Sequence, residues 1–393
     1  MIYKEMAINP DKVHIVVFSD DWGRHPSSCQ HIFRHLLDRC SVTWINTIGL
    51  RTIRVSMYDL KRSFQVLRNW MSSNSTGDSA EHKKEEANPE VLSPMMLPSF
   101  RYRLTAFINQ KILLRAVHKV LITKQKDVKT VLVSTLPVIP NLFSAGIFDR
   151  TVYYCVDDFT TWPGVEGTAI QRLESELLND CDLMIATSSE LLNSRGASVK
   201  KAYLITHGVD YEHFSSASQL SPPDEIAKLP KPVIGFFGMF DDRMNGAVLE
   251  DISRQFSSGS IVILGPIDRD IQPYAELKNI HFFGPVPYQD LPGWVSGFDA
   301  CILPYKVDES TKSINPLKLK EYLATRKPVI STPLPEAVQL GEYVRIASQD
   351  DFSEAIRDEM EKHSPNPGLE AFLHSESWEK KAEEFQRIIM DGL

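Results

Sequence analysis

The sequence predicts an α/β protein built from two doubly wound, parallel-sheet domains that face each other across a cleft. Short, β-rich apolar runs alternate with helical stretches in both halves of the chain. Its 393 residues exceed what a single hydrophobic core ordinarily holds. A stretch containing Ser215, Ser216, Ser218, Ser221, Pro222 and Pro223 breaks the pattern near the middle. The expected division is residues 1–214 as the first domain, 215–375 as the second, and 376–393 as a terminal helix.

In chain order, the runs 13–18, 42–45, 130–134, 152–156 and 183–186 read as buried strands of the first domain. Runs 233–237, 261–264, 280–283, 300–303 and 329–331 repeat the pattern in the second. Between the two early strand groups, residues 71–90 are polar and poor in apolar side chains, the composition of a mobile loop. Gly208, in His207-Gly208-Val209-Asp210, supplies the backbone freedom of a turn just before the domain break. No repeat of solenoid length is visible.

Composition narrows the class. With 42% hydrophobic and 24% charged residues the chain is globular. No apolar run reaches the length of a membrane span, and the start lacks the basic and apolar segments of a signal peptide, so a cytoplasmic or membrane-peripheral protein is expected. Cys29, Cys40, Cys155, Cys181 and Cys301 are odd in number and scattered, as reduced core thiols are, and show no zinc spacing. The formal charge of −8 is divided unevenly, +3 over residues 1–200 and −11 over 201–393. Residues 51–126 carry +8, with Arg51, Arg54, Lys61, Arg62, Arg68, Lys111, Arg115 and Lys119 interleaved with Tyr58, Phe64, Trp70 and Phe107. Such a segment suits either an anionic membrane surface or a solvated helix face. No nucleic-acid motif accompanies it, and nucleic acid is not expected as a partner.

The most informative stretch is Ser313-Ile314-Asn315-Pro316-Leu317-Lys318-Leu319-Lys320-Glu321. Asn315 is a good N-cap and Pro316 suits the first helical position, so a helix end with outward backbone N–H groups is expected there. Lys318 and Glu321 then share one face, and together they fit a phosphate next to a hydroxylated sugar. An ordinary capped surface helix with an i, i+3 ion pair is the alternative.

This stretch, with Lys327-Pro328-Val329-Ile330-Ser331-Thr332-Pro333-Leu334-Pro335-Glu336, resembles the nucleotide-sugar segment of GT-B glycosyltransferases, near family 4 of those enzymes. Three further segments agree in order: Gly235-Phe236-Phe237-Gly238-Met239-Phe240-Asp241-Asp242-Arg243, His281-Phe282-Phe283-Gly284-Pro285-Val286, and Phe298-Asp299-Ala300-Cys301-Ile302-Leu303. The resemblance runs through residues 230–340. It implies a GT-B fold and transfer of a sugar from a nucleotide diphosphate, UDP by expectation, to a glycan or lipid-linked acceptor in polysaccharide biosynthesis. No cofactor and no metal are implied. Lys318 and Arg243 would bind the pyrophosphate, Glu321 the ribose, Gly238 and Gly284 would allow close backbone approach, and Phe283 to Val286 would hold the base. Asn315, Pro316 and Leu317 complete the donor helix end. An ion pair of Arg243 with Asp241 or Asp242 remains open.

Many related retaining enzymes carry a glutamate eight residues before the equivalent of Glu321, and Ser313 stands there, so the contact to the transferred sugar is altered. Tyr154-Cys155-Val156-Asp157-Asp158-Phe159 follows a predicted strand and resembles the paired-acid segment of a xanthan-type glucuronosyltransferase. Asp157, then Asp158, is the candidate general base; a helix-capping role for these acids is the alternative. The loop after the first strand, with Asp21, Trp22, His25 and His31, is expected to face the acceptor. A sugar-nucleotide epimerase of the same fold, or a non-catalytic binding relative, are the other functional readings.

Overall fold

The computed structural model describes residues 12–24, 27–47, 87–97, 103–123, 127–362, 364 and 366–393. The first sheet has seven strands: β1 Val13–Ser19, β2 Ser41–Asn46, β3 Glu90–Leu92, β4 Lys129–Ser134, β5 Arg150–Cys155, β6 Leu183–Ala186 and β7 Ala202–Leu204, in the order β3-β2-β1-β4-β5-β6-β7. The second has six: β8 Val233–Phe237, β9 Ser260–Leu264, β10 Ile280–Gly284, β11 Ala300–Leu303, β12 Val329–Ser331 and β13 Arg345–Ile346, in the order β10-β9-β8-β11-β12-β13. Every pairing between these strands is parallel. The ten expected strands are all present. The three the runs did not announce, β3, β7 and β13, are two- or three-residue edge strands with partly exposed side chains.

Helices cover the sheet faces because strands such as β1 and β8 are apolar on both sides and buried throughout. Against one face of the first sheet pack α1 (Ser28–Arg34) and the terminal α7 (Trp378–Met390), through Ile32, Phe33, Phe385 and Ile389. The other face is covered by α2 (Arg103–Ile122), α3 (Gly167–Asp180) and α4 (Ser189–Arg195). α5 (Tyr211–Ser215) and α6 (Leu317–Ala324) belong to the second domain's core. α7 returns to the first domain: Phe385 lies edge-on to Phe33 at 5.8 Å and to Tyr154 at 5.3 Å.

In both sheets the strand order reverses at the first strand, between β1 and β4 and between β8 and β11, and the loops at those carboxyl ends are where such folds place ligands. Of the expected mobile loop, residues 71–86 lie outside the described residues, while Glu90 pairs with Thr43 at the sheet edge. The basic residues at 51–68 also lie outside.

Candidate functional site

The site gathers at the carboxyl ends of β8, β10 and β11, opposite those of β1 and β5. Gly238 follows β8 with φ +137°, a backbone region that disfavours a side chain. The Lys318 side chain lies directly over it: a Cβ on Gly238 would sit 1.9 Å from Lys318 Cε. Gly265 backs onto the same point, since a Cβ there would lie 2.0 Å from the Gly238 carbonyl oxygen. Two glycines thus open the floor beneath one ammonium.

Glu321, one turn along α6, is 6% exposed. Burial lifts its carboxyl to about 7, aided by Asp210 and opposed by Lys318. It is therefore poised between neutral and charged near physiological pH, able to donate to or accept from sugar hydroxyls. The helix itself starts one residue later than expected. Pro316, at φ −78° and ψ 96°, occupies the cap position with no side-chain hydrogen bond, so it is not the first helical residue. Asn315 stands one residue before that cap position, and its Nδ2 donates to Glu336 Oε2 at 3.1 Å. Leu317 packs against the first domain's core, bringing the helix start to the domain interface.

Ser313 is 2% exposed, and its hydroxyl is buried with no hydrogen-bond partner among the described residues, as are those of Tyr288 and Tyr305. Gly284 ends β10 with φ +73°, and a Cβ there would meet nothing within 4 Å, so open space adjoins the turn. Its carbonyl accepts from Gly265 N at 2.6 Å. Phe283 lies edge-on to Trp294 at 5.4 Å, and Val286 packs on the core beside them.

Arg243 makes the ion pair that the sequence left open. Its guanidinium is held by both oxygens of Asp241, Nε at 2.9 and 3.0 Å and Nη2 at 2.6 Å, so the ordinary ion pair takes one edge of it and two of its five N–H donors. It also lies over the Tyr305 ring at 5.3 Å. Burial would lower its pKa, but Tyr305, Asp241 and Asp157 raise it.

Asp157 lies across the cleft from Arg243. Its Oδ1 accepts the Asp158 N–H at 2.7 Å and its Oδ2 accepts Trp162 Nε1 at 3.0 Å. Burial raises its pKa, against those hydrogen bonds and the Arg243 charge, with Asp158 adding to the rise. Asp158 is placed differently. It caps the short turn Phe159–Thr161 by accepting Thr160 N at 3.1 Å, and it pairs with Arg195 at 2.9 Å. Burial opposes its ionisation, but Thr160 and Arg195 outweigh that and hold its pKa low. The capping alternative describes Asp158; Asp157 has no capping role, and its carboxylate feels the charge of Arg243 in the second domain.

The loop after β1 departs from expectation. Asp20 organises it by accepting from Ser19 Oγ, Ser27 Oγ and Gln30 Nε2 at 2.8, 2.9 and 2.6 Å. Asp21 pairs with Arg24 at 3.3 Å on the surface. Trp22 does not stand free as a stacking plate: it packs edge-on to Trp44 at 4.8 Å, with Arg34 at 5.9 Å from its ring. His31 lies buried on α1, stacked on Trp378 at 4.7 Å, and burial lowers its pKa to about 4, so it is neutral. His25 lies outside the described residues.

Sequence reasoning missed four neighbours. Tyr288 lies near enough to Glu321 to feel its charge and 6.2 Å from the His31 ring, Tyr305 underlies Arg243, Glu336 holds Asn315, and Lys320 is buried on the back of α6. Glu336 and Lys320 lie inside the quoted motifs, but the contacts of all four depend on tertiary approach. Among the described residues no group of three or more His, Cys, Asp or Glu side chains could hold a metal ion, and no helix is long and apolar enough to cross a membrane.

Two facing Rossmann-like domains with this arrangement define the GT-B fold. Residues 231–363, within the second domain, match the family model described as Glycosyl transferases group 1. The Bacillus subtilis protein TuaH, assigned provisionally as a teichuronic acid biosynthesis glycosyltransferase, is 25% identical over 222 residues, covering 52% of this chain and 56% of that relative. The match thus spans little more than half the length of that protein. Anabaena Alr3699/HepE, solved in complex with UDP and glucose, superposes with a TM-score of 0.63 at 14% identity, covering 95% of this chain and 98% of that one. An Escherichia coli structure, described as trehalose-6-phosphate bound with UDP-2-fluoro glucose, gives a TM-score of 0.61 at 12% identity over 97% and 99%.

Proposed function

We propose that this protein is a glycosyltransferase that moves a hexosyl or uronosyl group from a UDP-linked sugar to a glycan or lipid-linked acceptor in cell-surface polysaccharide biosynthesis. The observation that carries the reading is the Lys318 ammonium held over the Gly238–Gly265 floor beside a buried Glu321 with a pKa of about 7. The similarity to TuaH and the group 1 match support it.

In this reading Lys318 binds the diphosphate and stabilises the charge that grows on it as the leaving group departs. Glu321 orients the ribose, the turn from Phe283 to Val286 receives the base, and Ser313 faces the transferred sugar. Asp157 takes the acceptor hydroxyl's proton. Arg243, paired with Asp241 along one edge, lowers the Asp157 pKa and keeps its remaining N–H donors for the diphosphate. The nucleotide sugar is a co-substrate, and no separate cofactor or metal is required.

Residues 51–126 would bring the enzyme to anionic lipid; the described part, α2, supports this with Lys111, Arg115 and Lys119 on a helix that also exposes Leu104 and Phe107. Salt-sensitive sedimentation with anionic liposomes, but not neutral ones, tests that arm. The central test is thermal shift with a panel of nucleotide sugars: a UDP-sugar should raise the melting temperature. A null response to every nucleotide would remove the donor-site reading.

A further inference from the structure

Behind the donor-facing side of α6, Lys320 is 3% exposed. Its ammonium donates to the His207 carbonyl and to Thr206 Oγ1, the latter at 3.1 Å, and forms an ion pair with Glu376 Oε2. The other Glu376 oxygen accepts Lys381 Nζ at 2.7 Å, and Lys381 also reaches Thr206 Oγ1 at 3.0 Å. Three segments meet here: the donor helix, the turn that leaves β7, and the entry to α7.

The turn carries the contact onward. His207 Nδ1 shares a hydrogen bond of 2.8 Å with Ser28 Oγ, in the first turn of α1, behind the loop opposite the donor site. Gly208 is pressed against α7, since a Cβ there would lie 2.7 Å from the Trp378 ring. That same ring stacks on His31. Direct contacts therefore link α6 to the first domain's loop through one buried ammonium.

Packing alone does not require a lysine at this place. Burying two ammonium groups around one carboxylate carries a large desolvation penalty, and an unbranched apolar chain would fill the volume at lower cost. What the charged cluster adds is a fixed register between helix and hinge, because each donor has a directed partner.

We propose that Lys320 is a positioning residue: it sets α6 against the first domain so that Lys318 and Glu321 are presented to the donor only while the Lys320–Glu376–Lys381 cluster is intact. This rests on the nucleotide-sugar reading of that site. The charged and titratable groups facing Lys320 are Glu376 and Lys381 at the entry to α7, Glu336 after β12, and His207 in the turn. Burial, with the two lysines, drives His207 to about 3, so it stays neutral. Burial lowers Lys320 to about 8, opposed by Glu376. A lysine with a lowered pKa keeps its charge below that value and loses it above, so the cluster weakens as pH rises through about 8.

The test is calorimetry with UDP on the wild type, Lys320→Met, Lys320→Arg and Glu376→Gln, below and above about pH 8. Lys320→Met leaves Glu376 paired with Lys381, so the fold should survive. It should bind UDP about tenfold more weakly than wild type below that pH, within the usual range of coupling between sites. Above it the gap should close, because the wild-type lysine is then neutral, while Lys320→Arg should retain affinity. Should Lys320→Met fail to fold, Glu376→Gln should show the same weakening. Wild-type affinity in both variants below that pH, or a gap indifferent to pH, would overturn the inference. Hydrogen exchange of the α6 amides without ligand separates the two readings: it should rise in Lys320→Met whether or not the protein binds UDP, and unchanged exchange would also overturn the inference. A wild type that binds no UDP but shows the exchange difference would remove the donor reading alone.

Discussion

Gly238→Ala is the sharpest probe of the donor site, because two separable effects converge on one methyl group. At φ +137° the backbone occupies a region essentially reserved for glycine, so alanine should cost about 1–3 kcal/mol of stability. The new Cβ would also lie 1.9 Å from Lys318 Cε. That atom is near the end of a flexible chain, so the lysine moves aside at little steric cost, and its ammonium leaves the diphosphate position. Losing that charge-assisted contact should weaken UDP binding by about 1.5–3 kcal/mol, roughly ten- to a hundredfold. Gly146→Ala, before β5 and away from the site, supplies the control. It carries φ +62° but meets no atom within 4 Å, so it should lose stability and keep its affinity. Calorimetry on both variants and on Lys318→Ala decides. In a Lys318→Ala background, Gly238→Ala should weaken binding no further. Full UDP affinity in Gly238→Ala, or an undiminished loss without the lysine, would refute the placement of Lys318 on the donor.

Two further outcomes follow from the titrating groups. Asp157→Asn should reduce turnover by about 10²–10⁴ and leave UDP binding intact, since a base touches only the acceptor; single-turnover rates with the product anomer read by NMR check this. Near-normal turnover with a retained anomer would assign the proton to the leaving phosphate instead. Glu321→Gln should stabilise the fold while weakening donor binding. Its carboxyl is raised from 4.5 to about 7, so a penalty absent below pH 4.5 builds up to pH 7 and is complete above. Removing it should gain up to about 3 kcal/mol well above neutrality and nothing at acid pH, read by chemical denaturation at both.

The strands were legible because parallel, doubly covered strands must be apolar on both faces, and the ten runs show it. β3, β7 and β13 were not, because two or three residues with partly solvated side chains are too short to carry an apolar pattern, whereas the edge strand β10 has five. Within the site, residues read from their own neighbourhood fared unevenly. Asn315 has every local property of an N-cap, but the helix begins one residue later than the motif suggests and its amide instead donates to a carboxylate 21 residues away. Arg243 has its partner two positions earlier, near enough for the sequence to offer the ion pair as an alternative. His31 and Trp22 stood in a polar loop and read as ligands, yet tertiary packing on Trp378 and Trp44 claims their faces. Lys320 was beyond reach altogether. Its role depends on Glu376 and Lys381, and nothing local distinguishes it from a surface lysine in an amphipathic helix.

The chemistry of the cleft turns on how Arg243 is neutralised. An unpaired guanidinium facing Asp157 would stabilise the carboxylate and make it a feeble base. Asp241 takes that charge in a two-oxygen grip, so Arg243 lowers the Asp157 pKa less than burial raises it. The two hydrogen bonds to Asp157, from Asp158 N and Trp162 Nε1, fix the plane of its carboxylate and leave each oxygen a further lone pair for an acceptor hydroxyl. Asp158 contributes through that N–H and through the turn it caps, with its own charge spent on Arg195. The adjacent acids thus divide the work by their partners. One is tied into the scaffold with a lowered pKa; the other is oriented and more basic than an exposed aspartate, as the proposed role of general base requires.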